Sequence, residues 1–223
     1  MRKIAVLFLC ALSLSVATAG DVATFVSLGF SPDGSRYAFG QYGITDSDYR
    51  AYADILFVDV ARNDFLKGGK FTSGDEPTKD GRVAFSALQG ASTPFAKKTG
   101  IDQSLQGRPL YVQADSDPAP KTLSFRDFDT GRSYEVTLNC LVEGAGKDVR
   151  SSFYLLVSIT DADGKTVRKT VGLPGFKRDG VKGYTIRRIV TDDAGKALVF
   201  VIEKEHFAPK GGSIRYMVEA VRL

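Results

Sequence analysis

From Tyr134 to Val142 apolar and polar positions alternate. Tyr134, Val136, Leu138, Cys140 and Val142 fall on one face, and Glu135, Thr137 and Asn139 on the other. A period of two marks a half-buried antiparallel strand, and it predicts that Cys140 is buried. Phe153, Leu155, Val157 and Ile159 repeat the pattern over Ser152–Thr160, the expected partner strand. Asp161-Ala162-Asp163-Gly164 then leads into a further strand from Lys165 to Arg168. Asp-Gly between two β runs reads as a hairpin turn, because glycine accepts the positive φ such turns demand.

The two ends of the chain share an order of elements. Phe30-Ser31-Pro32-Asp33-Gly34 is a turn followed by Arg36-Tyr37-Ala38-Phe39, and Ala53–Val60 supplies the next strand. Near the C-terminus Val190-Thr191 precedes the acidic-Gly turn Asp192-Asp193-Ala194-Gly195. Ala197–Phe200 follows as a strand, and Ser213–Val221 mirrors Ala53–Val60. This order predicts a degenerate repeat of one β-meander unit. Between the two lies a helical insertion, about residues 75–107. Within it Gly81–Gln89 forms one short helix. A second opens at Thr93-Pro94, with Thr as N-cap and Pro in the first turn, and closes at Gly100. Asp115–Lys121, with two prolines, is a loop.

The N-terminus departs from the β pattern. Arg2 and Lys3 precede an apolar run from Ile4 to Val16, and Ala17-Thr18-Ala19 supplies the small residues a signal peptidase reads. The run is shorter than the roughly 20 apolar residues a spanning helix needs. Residues 1–19 are therefore expected to be a cleaved signal peptide, and 20–223 a single β-rich domain that works in the periplasm or outside the cell. Cys10 leaves with the leader, so Cys140 remains alone and no intrachain disulfide is expected. The whole chain carries a net charge of +4. Its basic residues are dispersed among apolar ones, which argues against a nucleic-acid surface. No later stretch is apolar enough to span a bilayer.

Two resemblances bear on the fold. The Phe30–Gly34 turn, Tyr37-Ala38-Phe39 and Ile55-Leu56-Phe57-Val58-Asp59-Val60 resemble one blade of the TolB-type propeller repeat. This implies propeller-like units at both ends of a mainly β fold of antiparallel meander sheets. A longer series resembles the DUF2259 family of predicted secreted bacterial proteins. It comprises Phe30–Gly34, Phe39-Gly40-Gln41-Tyr42-Gly43, Ile55–Val60, Gly107-Arg108-Pro109-Leu110-Tyr111, Gly183–Arg188 and Leu198–Glu203. That likeness implies export and supplies no chemistry.

Candidate chemistry is sparse. His206 is the only histidine, placed in a loop after the Phe200–Glu203 strand. A zinc site usually needs several His or Cys ligands, and no Gly-x-Ser-x-Gly elbow accompanies a triad. Asp161 and Asp163 resemble the start of a calcium loop, but the twelfth position, where a closing Glu belongs, is Gly172. No catalytic residue, metal or cofactor is expected. The leading expectation is a non-enzymatic exported module that binds an unknown protein or envelope ligand. Its loops would be Ile44–Tyr52 and His206–Gly212, equivalent places in the repeat, with Tyr42, Tyr49, Tyr52 and His206 as candidate contacts. One alternative is a cell-envelope hydrolase drawing on Asp46, Asp48, Asp54, Asp59 and Asp64, where paired carboxylates would serve glycoside or peptide cleavage. Another is a structural envelope component.

Overall fold

Six consecutive residues, Ala197 to Ile202, are each 2% exposed or less. A strand buried on both faces must have a layer on either side of it, and this segment is the middle of the molecule. The computed structural model describes residues 21–74, 78–115, 117–208 and 211–223. The proposed signal peptide, residues 1–19, lies outside them.

In chain order the elements are β1 (Asp21–Val22), β2 (Thr24–Phe30), β3 (Arg36–Ile44), β4 (Ala51–Asp59), β5 (Asp64–Thr72) and α1 (Gly81–Thr99). There follow β6 (Arg108–Val112), β7 (Thr122–Arg126), β8 (Ser133–Glu143), β9 (Arg150–Thr160), β10 (Thr166–Val171) and β11 (Arg178–Asp179). The last three strands are β12 (Val181–Thr191), β13 (Ala197–Ala208) and β14 (Gly211–Arg222). They form a central sheet of order β1-β14-β13-β12-β6, a second of order β10-β9-β8-β7 with β11 also on β9, and an N-terminal meander β2-β3-β4-β5. All pairings among these are antiparallel except β1 on β14. Register shifts in β2, in β12 and between β4 and β5 are the kind of irregularity that bends and further twists a sheet.

The parity of β13 assigns the layers. Leu198, Phe200 and Ile202 join Tyr134, Val136, Phe153 and Leu155 of the second sheet in one core. Ala197, Val199 and Val201 join Phe30, Tyr37, Phe39 and Val58 of the N-terminal meander in another. A third core lies between that meander and α1, where Ala53, Ile55 and Phe57 meet Ala84 and Phe85. Gly40 permits this approach, because a Cβ there would lie 2.4 Å from the Phe85 ring.

The expected strand pairs are present. Tyr134 pairs with Ile159 and Val136 with Val157, and the Asp161 side chain accepts the Asp163 and Lys165 N–H groups in the hairpin turn. Both ends form three-strand antiparallel meanders, β2-β3-β4 and β12-β13-β14. The helical insertion differs from expectation: α1 is one continuous helix with Pro94 inside it, N-capped by Asp80 and closed by Gly100 at φ 70°. A proline removes one helical hydrogen bond. Here Phe85 and Phe95, on either side of it, both pack into the α1 core, and the Phe95 ring stands 4.9 Å from that of Phe57.

Cys140 is a second correction. It occupies the expected face, beside buried Phe153, but is exposed. β7 ends its pairing at Thr122–Thr137, so the last residues of β8 run on beyond it. Alternation identifies a face; it does not say how far the opposing layers extend.

Candidate functional site

Below Ile202 the character of β13 changes. Glu203, Lys204, Glu205 and His206 follow, all half-buried. The strand does not end there: it stays paired to Ala208, with His206 opposite Val181 of β12 and Ser213 of β14. His206 is thus a strand residue and not the loop residue expected. Polar side chains suggested an end that the backbone, still laddered on both sides, does not have.

Here the β3–β4 loop and the β13–β14 hairpin converge. Thr45, Asp46, Ser47, His206, Phe207, Ala208, Ser213, Arg215 and Asp21 line an open cavity of about 590 Å³. The loop winds around Thr45, whose hydroxyl donates to the Asp48 carboxylate and accepts from the Arg50 N–H at 3.1 Å. The short parallel pairing of β1 with Ser213–Ile214 delivers Asp21. Arg215 Nη2 donates to Asp21 Oδ2 at 2.5 Å, while Nη1 reaches Asp21 O, Ser213 Oγ and Ile214 O. The guanidinium lies 4.0 Å over the Tyr52 ring, and the Tyr52 hydroxyl donates to Asp21 Oδ1 at 3.2 Å. Burial pushes the Tyr52 phenol upward. The same cause, with the Lys204 and Arg215 cations beside it, pulls His206 down to about 4, so its imidazole is neutral at neutral pH. His206 Nε2 is buried with no hydrogen-bond partner among the described residues.

Three of the four candidate side chains gather near this cleft. His206 lines it, and Tyr52 supports Arg215 beneath it. Tyr42 borders an adjoining hollow of about 370 Å³ that shares Asp46 with it, its ring 5.4 Å from Phe85. Tyr49 stands apart, 68% exposed at the loop tip with φ 55°. The five carboxylates of the hydrolase alternative are spread along β4 and its ends. Asp46 reaches the cleft, Asp54 accepts from Gln41, and Asp59 caps the Arg62 N–H. No group of three or more His, Cys, Asp or Glu positioned for a metal ion occurs among the described residues. Asp21, Lys204 and Arg215 were not anticipated. A signal for Lys204 existed: it lies two residues beyond Ile202 and two before His206, on the face that Leu198 and Phe200 bury.

A family model for predicted secreted proteins, DUF2259, matches residues 38–222. The chain belongs to this family, and it is a secreted protein. Comparison with curated proteins and with solved structures returned no match. No helix among the described residues is long and apolar enough to cross a membrane.

Proposed function

We propose that this is a non-enzymatic, exported binding module whose ligand enters the cleft between the β3–β4 loop and the β13–β14 hairpin. One observation carries the reading. The β3–β4 loop and the paired ends of β13 and β14, at equivalent places in the repeat, border a single cavity, and that cavity is lined by a histidine whose Nε2 is buried and unpartnered among the described residues. A buried polar atom without a partner costs free energy comparable to a lost hydrogen bond, and a ligand that turns the imidazole toward the cavity and supplies that partner would recover it. Arg215 already donates to Asp21, Ser213 and Ile214 and so serves as scaffold. Residues 20–223 act in this reading as one β-rich domain, and the two meanders as propeller-like units. Their shared strand order and their acidic-Gly turns support that view.

The test is an amide NMR titration of the protein with solubilised cell-envelope fragments. Perturbations at Asp46, His206 and Phe207 are expected. They should be lost in Ser47→Trp, which fills the cleft from an exposed position, and reduced in Tyr52→Ala. Perturbations confined to the outer edge of β10, or unchanged by Ser47→Trp, would overturn the reading.

A further inference from the structure

Among the described residues the charged groups around the lower half of β13 pair off, except Lys204. Glu203 lies 3.3 Å from Arg187, Glu205 2.7 Å from Lys182, and Asp21 2.5 Å from Arg215. Glu219, across from Phe200, faces Arg178 at 3.9 Å and accepts from Asn63. Asp54 is engaged by Gln41 Nε2 at 3.0 Å. Lys204 has no carboxylate within 4 Å and no hydrogen-bond acceptor among the described residues. By register it sits between Tyr184 of β12 and Arg215 of β14. The Arg178 guanidinium lies 5.9 Å from the Tyr184 ring and 5.0 Å from that of Phe153.

Lys204 is half-buried near two guanidinium groups, Arg178 and Arg215. The Asp54 carboxylate offsets them only from beyond ion-pair distance, so the ammonium lacks the direct counter-ion that a desolvated charge ordinarily has. We infer that Lys204 is the anchoring cation for an oxyanion, a carboxylate or a phosphate, borne by the ligand of the cleft. This rests on the cleft being the recognition site and specifies what enters it. Lys204 and His206 are alternate residues of one strand and so share a face about 7 Å apart. An oxyanion at Lys204 would therefore leave the rest of the ligand beside His206 and the cavity. Burial, Arg178 and Arg215 lower the Lys204 amine to about 8 against the opposing pull of Asp54, and an anion bound directly to it should reverse that shift.

The experiment is a pH titration of the lysine Cε resonances of the purified protein, alone and with inorganic phosphate or succinate at constant ionic strength. The Lys204 midpoint should rise by about one unit or more with at least one of the two anions, and the responding anion names the source. The same anion should raise the melting temperature of the wild type and not of Lys204→Gln. If neither anion moves the midpoint, or if Lys204→Gln keeps the full thermal shift, the assignment fails. Envelope fragments report separately on the cleft. If phosphate or succinate moves Lys204 while Ser47→Trp leaves fragment binding intact, the cleft reading alone fails. If fragments bind the cleft while Lys204 ignores both anions, only the oxyanion assignment fails.

Discussion

The upper and lower halves of β13 belong to one strand, paired throughout to the same two neighbours, yet they meet opposite conditions. Ala197 to Ile202 are sealed between two sheets. Glu203 to Ala208 run out between loops, and there the strand exposes a cavity, an unpartnered imidazole and an unpaired ammonium. The turns at the upper end are fully engaged. Asp33 accepts from Ser31 and Ser35 and is held at about 2 by those hydrogen bonds. Asp192 accepts the Lys196 and Ala197 N–H groups. Arg222 ties Asp33 O to β14, and Gly34, at φ 66°, lets the Asp192 carboxylate approach to where a Cβ would lie 2.5 Å away. Asp127, 1% exposed, takes both guanidinium nitrogens of Arg108, and its carboxyl is likewise held at about 2. The two turns of the repeat thus close the fold at one end, and its two open loops form the cleft at the other. The carboxylates of the turn end are all engaged, although the buried Thr191 hydroxyl and Tyr134 phenol there have no partner among the described residues; the cleft end differs in leaving a cation, Lys204, without an ion pair.

The contrast predicts a graded response to substitution. Phe200→Ala, in the sealed half, should cost about 3–5 kcal/mol, measured by urea unfolding. Arg108→Ala, which strands the Asp127 carboxylate, should cost about 2–3 kcal/mol near neutral pH. In the lower half the sign should reverse. Lys204→Met removes an uncompensated charge and should stabilise by about 1–2 kcal/mol at neutral pH.

Titration adds a direction. The unfolded chain binds more protons at Lys204 between about pH 8 and its unfolded value near 10.4. Wild-type stability should therefore rise with pH across that window, and that of Lys204→Met should not. On acidification two losses are expected. His206, held at about 4 in the fold against about 6.5 unfolded, lowers stability as pH falls from about 6.5 to 4. His206→Leu should abolish this first loss, up to about 3 kcal/mol for that pKa difference. Asp33 and Asp127, held at about 2, contribute stability above about pH 4 that disappears as pH falls toward 2; Arg108→Ala should shrink this second stage. The smallest effect is Tyr52→Phe, which loses one hydroxyl bond to Asp21 and keeps the ring under Arg215, about 0.5–1 kcal/mol. A loss above that range would mean the cleft is as tightly stapled as the turn end.

Much of this was legible in the chain. The alternation at Tyr134–Val142 and Phe153–Ile159 identified the β8–β9 pair, and the acidic-Gly turns located the hairpins, because both signals are local. β5 was not anticipated: Lys67-Gly68-Gly69-Lys70 carries no β propensity, and its pairing to β4 supplies what the residues lack. α1 was divided at Pro94 because proline disfavours a helix interior. Aromatic packing on both sides overrides that preference. The places of the cleft were identified through the repeat and Asp46 among the candidate carboxylates, whereas Asp21 and Arg215 were not.

Periodicity, turn residues and the apolar run of Ala197–Ile202 determine that this chain folds as antiparallel meanders with one strand at their centre, since each depends only on neighbours in sequence. Where burial stops is a property of other segments. The limit of β7 exposes Cys140, the reach of β12 and β14 keeps His206 on a strand, and β1 brings Asp21 to Arg215. The charge left over at Lys204 follows from which carboxylates are already paired, a relation among strands far apart in sequence that tertiary contact alone creates.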